Sequence, residues 1–115
     1  METTAQVLIL VKAMKIELLY VKGCSRWKSA LARVSEPVRI IEVDNQEEAV
    51  RLRFLGSPTI RIDSYDIEPE ASSRSDFGLG CRTYTDQDAL YEVPSKEMIR
   101  RAVRGRREKQ SADDL

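Results

Sequence analysis

The chain has no histidine, and only two of its 115 residues, Cys24 and Cys81, are cysteine, with 56 residues between them. A tetrahedral cysteine/histidine zinc site therefore cannot be assembled from one copy, and two distant cysteines do not make the disulfide framework of a secreted protein. Net charge is missing too, since 19 basic residues balance 19 acidic ones, which argues against a protein built to coat nucleic acid or an anionic membrane. Long apolar runs are also absent. The segment Val7-Leu8-Ile9-Leu10-Val11 has no basic residue before it and no small-residue cleavage site after it, so it fits neither a signal peptide nor a membrane span. These absences give the expectation of a cytoplasmic domain with no nucleic-acid partner, no membrane partner, no metal and no cofactor. A single domain of this length buries about 65% of its unfolded surface and needs no disulfide or metal to fold.

Met14 begins the first convincing strand, and residues 1–13 read as an upstream extension, an added edge strand or a disordered arm. In residues 15–21, Ile16, Leu18, Leu19, Tyr20 and Val21 form a near-continuous apolar run, the pattern of a central strand covered on both faces. Residues 25–34 then place Trp27, Ala30, Leu31 and Val34 on one face of a helix. Ser35-Glu36-Pro37 stops it, because proline disfavours helical geometry in the residue before it. Residues 38–43 read as a second strand, and Asp44 or Asn45 caps a second helix with Glu47 and Glu48 in its first turn. Ala49, Val50, Leu52, Phe54 and Leu55 form the buried side of that helix before Gly56 closes it.

Residues 59–63 alternate Ile60 and Ile62 with polar neighbours, a third strand directly after Pro58. Residues 64–80 are too polar and too punctuated for a core element, and too long for a tight hairpin. Cys81-Arg82-Thr83-Tyr84 is then the candidate fourth strand, antiparallel to the third. Asp86-Gln87-Asp88 reads as a turn, and Ser95 caps a last helix with Met98, Ile99, Ala102 and Val103 as its apolar stripe. Gly105 is expected to end it, leaving residues 106–115 as a charged tail. The arginines at 100, 101, 104, 106 and 107 read as a solvated helix end rather than a nucleic-acid patch.

The chemistry-bearing residue is Cys24, in Gly23-Cys24-Ser25-Arg26-Trp27, where the first strand gives way to a helix. A thiol at a helix N-terminus, flanked by Lys22 and Arg26, is in a setting that favours thiolate. The order βαβα then ββα, with Gly56-Ser57-Pro58-Thr59-Ile60 before the third strand and Cys81-Arg82-Thr83-Tyr84 later, resembles the thioredoxin/glutaredoxin superfamily. In particular it is similar to small bacterial thioredoxin-like proteins with a Gly-Cys-x-x-Trp segment. The resemblance covers residues 14–105 and implies an α/β, thioredoxin-like fold with a four-stranded mixed sheet flanked by helices. It implies that Cys24 is the catalytic nucleophile and that Pro58, after a cis peptide bond, faces it. Trp27, Ser57, Pro58 and Thr59 would then line a substrate groove, because such a bend frees nearby backbone groups to pair with an extended substrate.

This sequence departs from dithiol relatives at Trp27, which stands where they carry a second cysteine. A thiol cycle on Cys24 therefore needs Cys81, an external small thiol or a protein partner. A simple hairpin puts Cys81 at the end of the sheet away from Cys24, which favours a buried structural thiol over a resolving one. The functional expectation is a thiol-disulfide redox protein acting on protein or small-molecule thiols and disulfides through Cys24. The rival is a non-catalytic interaction module of the same fold, using the 64–80 loop or the cis-proline groove. Capture of a soft metal ion by Cys24 and Cys81 ranks last, with only two ligands.

Overall fold

In the computed structural model, which describes residues 14–113 and side chains through residue 109, the first apolar run forms β1 (Ile16–Tyr20). Leu18 and Leu19 point to opposite faces of this strand and both are buried. Each contributes about 1.5–3 kcal/mol by leaving water. Both faces are therefore covered, as the run predicts. The sheet order is β2-β1-β3-β4. β2 (Arg39–Glu42) lies parallel to β1 and is reached through α1 (Trp27–Ala32). β3 (Thr59–Ile62) lies antiparallel on β1's other side, with Leu19 opposite Thr59 and Ile16 opposite Ile62.

One face of the sheet packs Ile16, Leu18, Ile60 and Ile62 against Ala30, with Trp27 and Leu31 at its margin, and against Met98, Ile99 and Val103 of α3 (Lys96–Asp113). The other face packs Leu19 and Val43 against Ala49 and Phe54, on and just beyond α2 (Gln46–Arg51). Asn45 caps α2, its side-chain oxygen accepting from the Glu48 amide at 2.9 Å. Ser95 caps α3 through the Met98 amide at 3.1 Å. The structure is thus a single α/β domain with a four-stranded mixed sheet and helices on both faces.

Several expectations need correction. The fourth strand is not Cys81 to Tyr84 but β4 (Tyr65–Asp66), antiparallel to β3 through a two-residue turn at Asp63-Ser64. Both turn residues have positive φ, 52° and 75°, as the tightest hairpin turns require. Neither is glycine or asparagine, so the composition concealed the turn. The segment after β4 includes a 3-10 turn (Pro69–Ser73). Among the described residues β5 (Tyr84–Asp86) pairs only with β6 (Ala89–Tyr91); of the turn expected at Asp86-Gln87-Asp88, Asp86 belongs to β5 and Gln87-Asp88 make the connection.

Helix α2 stops at Arg51 rather than at Gly56. Arg53 takes the left-handed conformation at φ 54°, and the Arg61 guanidinium donates to the Leu52 and Arg53 carbonyls at 2.6 and 3.0 Å, satisfying the helix end. Val50, read as buried, is 54% exposed. Gly105 does not end α3, which continues to Asp113. One glycine costs a helix only about 1 kcal/mol. The next turn is tied down by ion pairs from Arg106 to Asp63 at 3.3 Å and Arg107 to Glu36 at 3.6 Å. Among the described residues no helix is long and apolar enough to cross a membrane. The reading of residues 1–13 lies outside the described residues.

Candidate functional site around Cys24 and Ser57

Because β1 and β3 are antiparallel with Leu19 opposite Thr59, the chain leaving β1 and the chain entering β3 meet at one edge of the sheet. Cys24 and Ser57-Pro58 stand on those two segments. Gly23, at φ 98°, turns the chain out of β1, and the Cys24 amide closes the turn on the Val21 carbonyl at 3.1 Å. The Cys24 thiol donates to the Ser57 carbonyl at 3.8 Å, while the Ser57 hydroxyl oxygen accepts from the Val21 amide at 3.1 Å. Two contacts thus stitch the cysteine turn to the start of β3. The Ser57–Pro58 peptide bond is cis, as the resemblance implies.

The helix-terminus expectation is not met. Helix α1 has six residues and begins at Trp27 after an Arg26 cap, so Cys24 precedes the helix and its amide is already bonded to Val21. The end charge of a helix fades within one turn. Arg26 is turned instead to Glu92, its guanidinium 3.0 Å from the carboxylate, and Lys22 is exposed. Trp27 stacks on Tyr20 with ring centroids 4.4 Å apart and packs at the margin of the core.

Ser57, Pro58 and Thr59 are all buried, and their polar groups are taken up inside the protein. The Thr59 hydroxyl donates to the Gly56 carbonyl at 2.7 Å and accepts from the Arg82 guanidinium at 3.0 Å. The Tyr84 hydroxyl donates to the Pro58 carbonyl at 2.5 Å. The Ser57 amide donates to the Gly80 carbonyl at 2.9 Å, and the Ser57 carbonyl accepts from the Arg82 amide at 3.0 Å. The expected groove, with free Ser57 backbone groups, is therefore occupied by the chain's own Gly80-Cys81-Arg82.

This pairing is an isolated parallel bridge between Ser57 and Cys81, and it corrects the placement of the second cysteine. Cys81 is neither remote from Cys24 nor buried; it is an exposed free thiol beside Ser57. The hairpin argument failed because residues 64–80 are not a loop between adjacent strands. After β4 they fold back to the edge where β3 begins.

Arg82 fixes this return. Its side chain is 1% exposed and reaches both Asp66 oxygens at 2.7 and 2.8 Å, Glu68 at 2.9 Å, and the Tyr84 ring face 4.4 Å below. Burial opposes the guanidinium charge, but the Asp66 and Glu68 carboxylates outweigh it and hold the group above its ordinary value. Its Nε is buried with no hydrogen-bond partner. Burial likewise pushes the Tyr84 phenol up, against the pull of Arg82. Gly56, at φ 127°, completes the packing, since a Cβ there would lie 3.0 Å from the Gly80 carbonyl oxygen and 3.1 Å from the Arg82 Cβ.

The family resemblance thus brought Cys24, Ser57, Pro58 and Thr59 together, but the sequence reading missed the shaping roles of Gly56, Asp66, Glu68, Arg82 and Tyr84. The carboxylates Asp66 and Glu68, at i and i+2 on and just after β4, were the available signal. Among the described residues no cluster of three or more cysteine, histidine or acidic groups is arranged to hold a metal ion. A cleft of about 700 Å³ opens elsewhere, between the end of α1 and α3, lined by Arg33, Glu36, Lys96, Arg100 and Arg104 among others. Comparison with known proteins found no matching family model, no matching curated protein and no matching solved structure.

Proposed function

We propose that the protein is a thiol-disulfide redox protein of thioredoxin-like fold, with Cys24 as its nucleophile. The observation that carries this reading is the Cys24 thiol held against the Ser57 carbonyl at the entry to β3. The β2-β1-β3-β4 order supports it, because an antiparallel β1/β3 pair brings a cysteine after the first strand onto the proline before the third. In the reaction, the Cys24 thiolate attacks one sulfur of a disulfide and forms a mixed disulfide. The other sulfur leaves as a thiolate and takes up a proton. A second thiol then attacks the Cys24 sulfur and releases the bound half.

A second reading, a non-catalytic interaction module, is favoured by one observation: the Ser57 amide and carbonyl are already paired with Gly80 and Arg82, not open to an extended substrate. An activity measurement separates the two. The reduced protein is given the mixed disulfide of glutathione and 2-mercaptoethanol, with glutathione as reductant. The redox reading predicts turnover above the uncatalysed rate that Cys24→Ser abolishes. Turnover equal to the uncatalysed rate, or unaffected by Cys24→Ser, overturns it in favour of the module.

A further inference from the structure

We propose that Cys24 and Cys81 form one redox pair, in which Cys81 releases the product of Cys24 chemistry by closing an intramolecular disulfide. This rests on the reading of Cys24 as nucleophile, and it adds the residue that completes the cycle. The juxtaposition comes from Ser57. Its carbonyl oxygen accepts from the Cys24 thiol at 3.8 Å and from the Arg82 amide at 3.0 Å. The Cys24 sulfur and the amide directly following Cys81 are therefore within about 7 Å of each other.

The Ser57 side chain is turned to the Val21 amide, three residues before Cys24, so the bridge that holds Cys81 lies beside the cysteine turn. A disulfide needs Cα atoms within about 7 Å, so closing the pair means bringing the two turns to that separation. Each cysteine follows a glycine, Gly23 and Gly80, beside which a Cβ would meet no atom within 4 Å. Those two residues leave room for that adjustment. The rest of the return segment is fixed: Arg82 anchors it to Asp66, Glu68 and Thr59. Cys81 is an exposed free thiol, and its side chain makes no hydrogen bond among the described residues.

The steps balance. The Cys24 thiolate forms a bond to one sulfur of a substrate disulfide, and the substrate S–S bond breaks with its electron pair on the departing thiolate. The Cys81 thiolate then attacks the Cys24 sulfur, the Cys24–Cys81 bond forms, and the second substrate thiolate leaves. The substrate disulfide gains two electrons and two protons to become two thiols. The protein dithiol loses the same and becomes a disulfide.

The test uses the full reduced chain and one equivalent of 5,5′-dithiobis(2-nitrobenzoate) per protein. The pair predicts release of both thionitrobenzoates, a protein mass lowered by two hydrogens, and a proteolytic peptide linking residues 24 and 81. Cys81→Ser should release one thionitrobenzoate and keep the other as a stable adduct on Cys24. A wild-type protein that keeps an adduct on Cys24 beside a free Cys81, or that oxidises to a linked dimer, overturns the pair and leaves the nucleophile reading standing. A folded Cys81→Ser protein that releases nothing overturns the nucleophile reading itself. The wild-type arm needs no variant, so a folding defect cannot mask the result.

Discussion

Replacing Arg82 with methionine should cost about 3–5 kcal/mol of folding stability, the range for removing one partner of a buried charge cluster. The size follows from burial rather than from distance. Arg82 is 1% exposed against Asp66 at 13% and Glu68 at 14%, so its loss strands two largely buried carboxylates without the guanidinium that pairs with both. Arg74 makes an even shorter contact with Asp76, 2.6 Å against 2.7 Å, but that pair is 39% and 65% exposed. Solvent screens it, and Arg74→Met should cost less than about 1 kcal/mol. Urea unfolding read through Trp27, the sole tryptophan, measures both variants on one scale. A domain of this size has about 5–15 kcal/mol in total, so the first loss is a large shift of the midpoint and the second a small one. Equal losses, or a loss below about 1 kcal/mol for Arg82→Met, would refute the claim that a buried ion cluster holds the returning segment in place.

Two further substitutions probe the same clamp. Tyr84→Phe removes the donor to the Pro58 carbonyl and should cost about 1–2 kcal/mol at pH 7. Burial raises the phenol, so above pH 10 the unfolded chain gives up this proton while the folded one keeps it; the wild type then loses up to about 1.4 kcal/mol per pH unit relative to the variant, and urea titrations from pH 7 to 11 should show the gap closing. Gly56→Ala should destabilise by about 1–3 kcal/mol, because the residue sits at φ 127° and the new methyl group presses on Gly80 and Arg82. Urea unfolding measures the loss, and an unchanged midpoint would contradict the close approach.

Much of the fold is legible in the residues because local pattern and packing agree. The run around Leu18 and Leu19 announced a strand covered on both faces, and the Trp27, Ala30, Leu31 spacing announced a helix lying on one of them. Asn45 and Ser95 were readable as caps since a side-chain oxygen before an apolar stripe has a local partner to satisfy. The failures are non-local. The turn at Asp63-Ser64 relies on residues that tolerate positive φ without advertising it, and so β4 was hidden inside an apparent loop. The continuation of α3 past Gly105 depends on ion pairs to Asp63 and Glu36, whose partners lie far away in sequence.

The candidate site divides in the same way. Cys24 and the Ser57-Pro58 segment were placed together by the family resemblance, and the antiparallel ends of β1 and β3 are what bring them together in the structure. The position of Cys81 could not be read, because it is set by Arg82 reaching into a carboxylate pair on β4 and its flank. No periodicity encodes that contact.

The central claim is that Cys24 is the nucleophilic thiol, and limited alkylation tests it most directly. Accessibility alone ranks the two cysteines the other way, since Cys81 is exposed and Cys24 only partly so. Reduced protein treated at pH 7 with less than one equivalent of iodoacetamide, then digested and mapped by mass spectrometry, reports which thiol reacts first. The account predicts label on Cys24 ahead of Cys81. Label on Cys81 with Cys24 left unmodified would contradict it.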